Sequence, residues 1–189
     1  MPPREITSKP NMPEAKASSR GFSLIELLIV VALILVIVAI AVPNYMRARM
    51  SANEAAAASY VRTITTASVV YNSTYDNGFP PTLLALGPPA GGGNTATCDT
   101  ANLIDEVVAA GVKGGYSYAL TGIGDPMNPA GPSCDTPGYN NYLVTASPTS
   151  FGITGQRSFC SDEPGSLHYD ITGAVSGSTT ACEALPALQ

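Results

Sequence analysis

Sixteen consecutive positions, Leu27 to Val42, carry no charge, and a single carboxylate, Glu26, stands at their head. Counted from Phe22, the apolar stretch is 21 residues long. As a helix rising 1.5 Å per residue it spans about 31 Å, enough to cross a bilayer. A charge near the middle of such a helix costs roughly 2.5–3.5 kcal/mol on insertion scales. Glu26 lies nearer one end, where the cost is smaller, yet it still calls for a partner. The segment before it is basic: Arg4, Lys9, Lys16 and Arg20 stand against Glu5 and Glu14. That bias points to an N-terminus inside and a C-terminus outside, although Arg47 and Arg49 on the far side work against it.

The order of features decides how such a segment is processed. A secretory signal places its cleavage site after the apolar core, and Ala39-Ile40-Ala41 would serve as one. Here a Gly21-Phe22 junction lies before the core. Cutting there leaves the hydrophobic helix on the mature chain. The run Gly21-Phe22-Ser23-Leu24-Ile25-Glu26-Leu27-Leu28 resembles the processing site of type IV pilins and of the pseudopilins of type II secretion, a likeness that is close from Arg20 to about Tyr45.

The resemblance implies that a membrane peptidase cuts after Gly21 and N-methylates Phe22, a modification that preserves the positive charge of the new amine. It implies assembly with identical or homologous subunits, in which Glu26 finds the Phe22 amine of its neighbour. A misregistered subunit would leave that carboxylate unpaired. It further implies Pro43 as a weak point where the backbone can stretch during assembly. The bottom-up reading of Pro43 is a mild kink, since proline removes one helical hydrogen bond. The implied fold is α+β and pilin-like: a long N-terminal helix packed on a small antiparallel sheet. The implied partners are sister subunits, prepilin peptidase and an inner-membrane assembly machinery with a separate ATPase. The chain would be stored in the bacterial inner membrane and later form a surface or periplasmic filament.

This organisation divides the chain into a leader (1–21), a membrane or filament-core helix (22–43), an amphipathic continuation (44–76) and a globular head (77–189). Without the leader the net charge is about −7, five basic against twelve acidic residues, a poor match to a phosphate backbone. Nucleic acid is therefore not an expected partner. Cysteines stand at 98, 134, 160 and 182, all in the part expected to be exported. An even count there reads as two disulfides, and three pairings are possible. Cys98–Cys134 and Cys160–Cys182 are favoured because each closes one contiguous stretch. A zinc site would need closer spacing than these cysteines have.

Along the chain, residues 1–19 lack periodicity and read as disordered. The helix should start near Phe22 and run to about Ser73, with Tyr60, Ile64, Ala67, Tyr71 and Tyr75 as its inner stripe. Residues 87–97, including Gly91-Gly92-Gly93, read as a loop. A short helix is expected over Thr100 to Ala110, capped by Asp99 or Thr100, stopped at Gly111, and burying Leu103, Val107 and Ala110. Four strands are expected: one around Tyr116, Tyr118 and Leu120, then Tyr142–Ser147, Gln156–Ser161 and Leu167–Thr172. Asp162-Glu163-Pro164-Gly165 makes a hairpin of the last two. Long segments after Pro126 and Gly173 should be tied back by Cys134 and Cys182.

Signs of catalysis are few. The single histidine, His168, falls in an expected strand and reads as a packing or surface residue. No nucleophile elbow, zinc-protease motif or calcium-binding loop occurs. Asp162, Glu163 and Asp170 offer oxygen ligands for calcium, but solvated turn carboxylates are the simpler expectation. No cofactor or metal is expected, and the chain reads as a non-enzyme. Two other roles remain open at this stage: a pseudopilin of a type II secretion system, and a membrane-anchored extracellular binding module.

Overall fold

The computed structural model describes residues 21–189 apart from 90, 92, 94, 129, 132–133, 164, 175–176 and 189. The disorder expected of residues 1–19 lies outside the described residues, as do Gly92 and Pro164. One helix, α1, runs from Leu24 to Tyr75, 52 residues with Pro43 inside it. By its internal contacts the chain divides between Ala41 and Val42 into two units. In the first unit every residue from Gly21 to Ala41 is exposed.

The second unit holds the core. Residues Ala57, Ala58, Val61, Ile64, Thr65, Ala67, Ser68 and Tyr71 form the buried face of α1. Ile64, Ala67 and Tyr71 belong to the expected stripe. Tyr60 and Tyr75 flank it and are only partly buried. The face is rich in Ala and Ser, whose small side chains let a sheet lie close to the helix backbone. At its end α1 stops on Asp76, whose φ of 48° is left-handed. The Asp76 amide donates back to the Asn72 carbonyl, an ending usually made with glycine.

Five strands follow: β1 (Val112–Lys113), β2 (Tyr116–Pro126), β3 (Tyr139–Pro148), β4 (Ser158–Asp162) and β5 (Leu167–Asp170). They make one sheet in sequence order, and each neighbouring pair is antiparallel. Short connections favour this meander. The fold class is thus α+β, as the sequence suggested. β1 was not foreseen, because two residues carry no period. Register follows the alternation: Leu120 opposes Val144, Thr145 opposes Cys160 and Cys160 opposes His168. Tyr116, Tyr118, Leu120, Tyr142, Val144, Ala146 and Phe159 share the core with α1. On the other face Leu143, Cys160 and Cys182 form a second apolar cluster, with Ile123 and Leu185 against it. Helix α3 (Thr179–Glu183) and the tail beyond it supply that cover.

The helix expected over Thr100 to Ala110 is much shorter. α2 comprises only Glu106–Ala109, capped by Asp105, whose carboxylate accepts from the amides of Val107 and Val108. The reason lies upstream. Ala101, Leu103 and Ile104 donate their amides to the carbonyls of Ala85 and Leu86, next to a 3-10 turn at Leu83–Leu86. Those bonds hold 101–104 out of the helix. The buried side chains are accordingly Ala101, Ile104, Val108 and Ala109, while Val107 and Ala110 are exposed.

Candidate functional site

Gly21 and Phe22 precede the first helical residue, and both are exposed. Ser23 sits at the N-cap position and Glu26 at the third position of the helix. The Glu26 carboxylate accepts the backbone N–H of Ser23 at 3.0 Å. This is half of a capping box, and a negative charge in the first turn also suits the helix dipole. The Ser-x-x-Glu spacing of this cap is legible in the sequence itself. Among the described residues the ion pairs are Lys113–Asp105 and Arg157–Glu54, so Glu26 meets no cation there. The helix holds a window apolar and long enough to cross a membrane, and none of that window is buried.

The cysteines pair as Cys98–Cys134 and Cys160–Cys182. Beside the first lies a polar cluster with no signal in the sequence. Asn77 is fully buried. Its Nδ2 donates to the Thr136 carbonyl at 3.0 Å and approaches Tyr71 Oη and Cys98 Sγ, while its Oδ1 accepts the Gly131 amide at 2.8 Å. Burial raises the Tyr71 phenol pKa, and the Asn77 contact opposes the shift. One side chain thus fastens the 131–138 segment to the end of α1. Gly138 completes the fit: a Cβ there would collide with the carbonyl oxygens of Asn77 and Phe79.

The acidic residues weighed as calcium ligands do not converge. Asp162 and Asp170 stand at opposite ends of the β4–β5 hairpin, and no cluster of three or more metal-ligating side chains exists among the described residues. Asp162 also corrects the expectation of solvated turn carboxylates. It is 1% exposed and neither of its carboxylate oxygens has a hydrogen-bond partner. It occupies the final position of β4 opposite Leu143, on the face covered by α3. Burial raises its pKa, nearby Glu183 adds to the shift, and His168 opposes it. Asp170 is instead half-buried and accepts from the Thr172 amide and hydroxyl, which lowers its pKa. His168 has a packing role: its Nδ1 lies 2.7 Å from the Leu185 carbonyl and helps hold the tail.

An exposed apolar N-terminal helix followed by a disulfide-tied antiparallel sheet defines an α+β protein with a helix long and apolar enough to cross a membrane. Residues 16–42 match the family model of the prokaryotic N-terminal methylation motif, so the chain is type IV pilin-like or pseudopilin-like. No curated protein and no solved structure compared with the chain matches it. The motif implies processing by prepilin peptidase, pilin-type assembly and membrane anchoring beforehand.

Proposed function

We propose that this chain is a structural, non-enzymatic subunit of a type IV pilus-like filament. The observation that carries the proposal is the apolar helical surface of residues 22–42, which no described residue covers. Such a surface is tolerated in lipid or against copies of itself, and a filament with a helical core supplies the second. Before assembly the subunit would span the inner membrane once, N-terminus inside. Prepilin peptidase would remove residues 1–21 and methylate Phe22. Residues 22–43 then form the filament core, 44–76 the helix beneath the head, and 77–189 the outer surface. Pro43 would be the point at which the backbone extends. Work for extraction comes from a separate ATPase.

Glu26 supports the assembly step. Its local bond to Ser23 accommodates the carboxylate at the end of a free helix, where water is available. Among packed helices the water is gone, and a cation from the neighbour's Phe22 amine becomes the better partner. Glu26→Gln keeps an acceptor for the Ser23 amide but removes the charge. Its expected outcome is normal membrane insertion and processing, with filament yield lost by sheared-fraction assay and electron microscopy. Normal filaments from that variant, or a wild-type chain whose N-terminus by mass spectrometry is not methylated Phe22, would remove the proposal. Loss of protein secretion without loss of surface filaments in a deletion strain would assign the chain to the pseudopilins instead.

A further inference from the structure

The loop joining β3 to β4 and the exit of β5 end the sheet on one side. Phe151, Ile153 and Ile171 are 58, 64 and 68% exposed there. They are gathered rather than scattered. The Phe151 ring lies against Gly173, two residues beyond Ile171, and fills the space a Cβ would need. Arg157 and Ile171 are the next residues outward from the Ser158–Asp170 pair. This tip is fastened to α1. Asn53 Nδ2 donates to the Thr154 carbonyl at 2.9 Å, and the amides of Gln156 and Arg157 donate to Glu54 Oε1 at 2.8 and 3.3 Å. Gln156 and Glu54 also share a surface depression with Arg47, Met50 and Ser51.

Two further observations indicate what covers the tip. Arg47 and Arg49 follow Val42 by five and seven residues. Covalent reach alone keeps them within roughly 18 and 25 Å of the end of the apolar stretch. Charge at the tip is mixed, and Arg47 and Arg49 are the basic residues near it that have no ion-pair partner among the described residues. After Phe22 the basic residues are Arg47, Arg49 and Arg62 on α1, Lys113 against Tyr60, and Arg157 beside Glu54. Asp76 and Asp125 stand at the opposite end, at the close of α1 and of β2, whereas Glu54 and Asp170 lie at the tip itself. Exposed aromatic and aliphatic side chains flanked by arginines suit the boundary between lipid headgroups and acyl chains.

We propose that this arginine-flanked apolar tip docks on the anionic phospholipid surface beside the protein's own membrane helix while the subunit is stored, and leaves it on assembly. The inference rests on the membrane storage proposed above. It also gives Arg47 and Arg49 a role, since basic residues just outside an exported helix are otherwise disfavoured.

The test uses the full chain in vesicles of phosphatidylglycerol and phosphatidylcholine, with a single environment-sensitive fluorophore on Ser150→Cys at the tip or Asp125→Cys at the opposite end. Carbonate extraction checks anchoring separately, so failure of the storage reading shows there and not in the fluorescence. The expected result is blue-shifted emission quenched by spin-labelled lipid at position 150 and water-like emission at 125. Quenching at 150 should be lost in Phe151→Ser/Ile153→Ser. Its preference for phosphatidylglycerol over phosphatidylcholine alone should be lost in Arg47→Gln/Arg49→Gln. Water-like emission at both labels overturns the proposal, as does quenching indifferent to the Phe151 and Ile153 substitutions. An emission shift at 150 that disappears on diluting protein in lipid overturns it too, because the tip would then be covered by a second copy.

Discussion

Replacing Asn77 by alanine tests how the head is fastened to the helix. The side chain is fully buried and reaches two points more than fifty residues away, the Gly131 amide and the Thr136 carbonyl. Removal leaves one donor and one acceptor without partners. Each such loss costs about 1–3 kcal/mol, and both bonds are only part-buried, so the lower half of that range applies. The contact to Cys98 adds little, because sulfur is a weak acceptor, and Tyr71 keeps its own contact with Cys98. A total of about 2–4 kcal/mol follows. For a unit of this size 1 kcal/mol moves Tm by roughly 2–4 °C, so the drop should be on the order of 10 °C. Thermal unfolding of the full chain in detergent, followed by near-UV circular dichroism, reads this directly. Limited proteolysis should show faster cleavage within 127–138, the disulfide remaining intact. Asn77→Asp sharpens the test: a carboxylate accepts the Gly131 amide but cannot donate to Thr136. It should destabilise at neutral pH at least as much as alanine and recover partly on acidification. A loss under about 0.5 kcal/mol for Asn77→Ala, the range of an ordinary surface change, would refute the reasoning.

Further expectations concern the outer face of the sheet and the disulfides. Asp162 has a raised pKa, so the folded state holds its proton more tightly than the unfolded chain. The stability this contributes is fully present below the ordinary aspartate value of 3.8 and is lost as pH rises through the raised folded value. Asp162→Asn should therefore stabilise the head at neutral pH and remove that part of the pH slope, read by urea unfolding from pH 4 to 8. Asp105 and Asp170, whose values are lowered, act in the opposite sense, so the difference between wild type and variant isolates Asp162. Cys160→Ser/Cys182→Ser should cost about 3 kcal/mol in the chain-entropy model, from its separation of 22 residues, and should release the tail to proteases before the sheet. Gly138→Ala should mimic Asn77→Ala, because its methyl group would strike the Asn77 carbonyl; an unchanged Tm would contradict the described packing.

The long helix was legible because its signals are long-range in sequence but local in cause: an unbroken apolar run, then a helical stripe. The β4–β5 hairpin was legible because a turn and two alternating runs lie within a dozen residues. α2 was misjudged because the deciding bonds come from Ala85 and Leu86, and no local propensity reports a backbone partner sixteen to eighteen residues upstream. Asp162 was misjudged for a related reason. A carboxylate beside a turn reads as solvated, but α3 folds back over it once Cys182 reaches Cys160. Asn77 stood out only as the first residue of the expected head, since a buried amide with four polar neighbours has no one-dimensional signature. Within the candidate site, the Gly-Phe junction and Glu26 were visible from the sequence, whereas the bond from Ser23 needed only attention to a four-residue spacing.

The sheet also carries its own protection against its neighbours. One margin is β1, merely two residues long, and the adjacent length of β2 is occupied where Tyr118 bonds Gly111, Thr121 bridges Thr82 and Gly122 bonds Pro81. Along the other margin, Tyr169 donates to Pro186 and the Leu188 amide donates to Leu167, so the tail occupies β5. Strands left bare invite identical chains to zip together through their backbones. In an array where many copies stand shoulder to shoulder, that hazard is greatest. With both flanks closed, association is left to the side chains, which can be selective about angle and register.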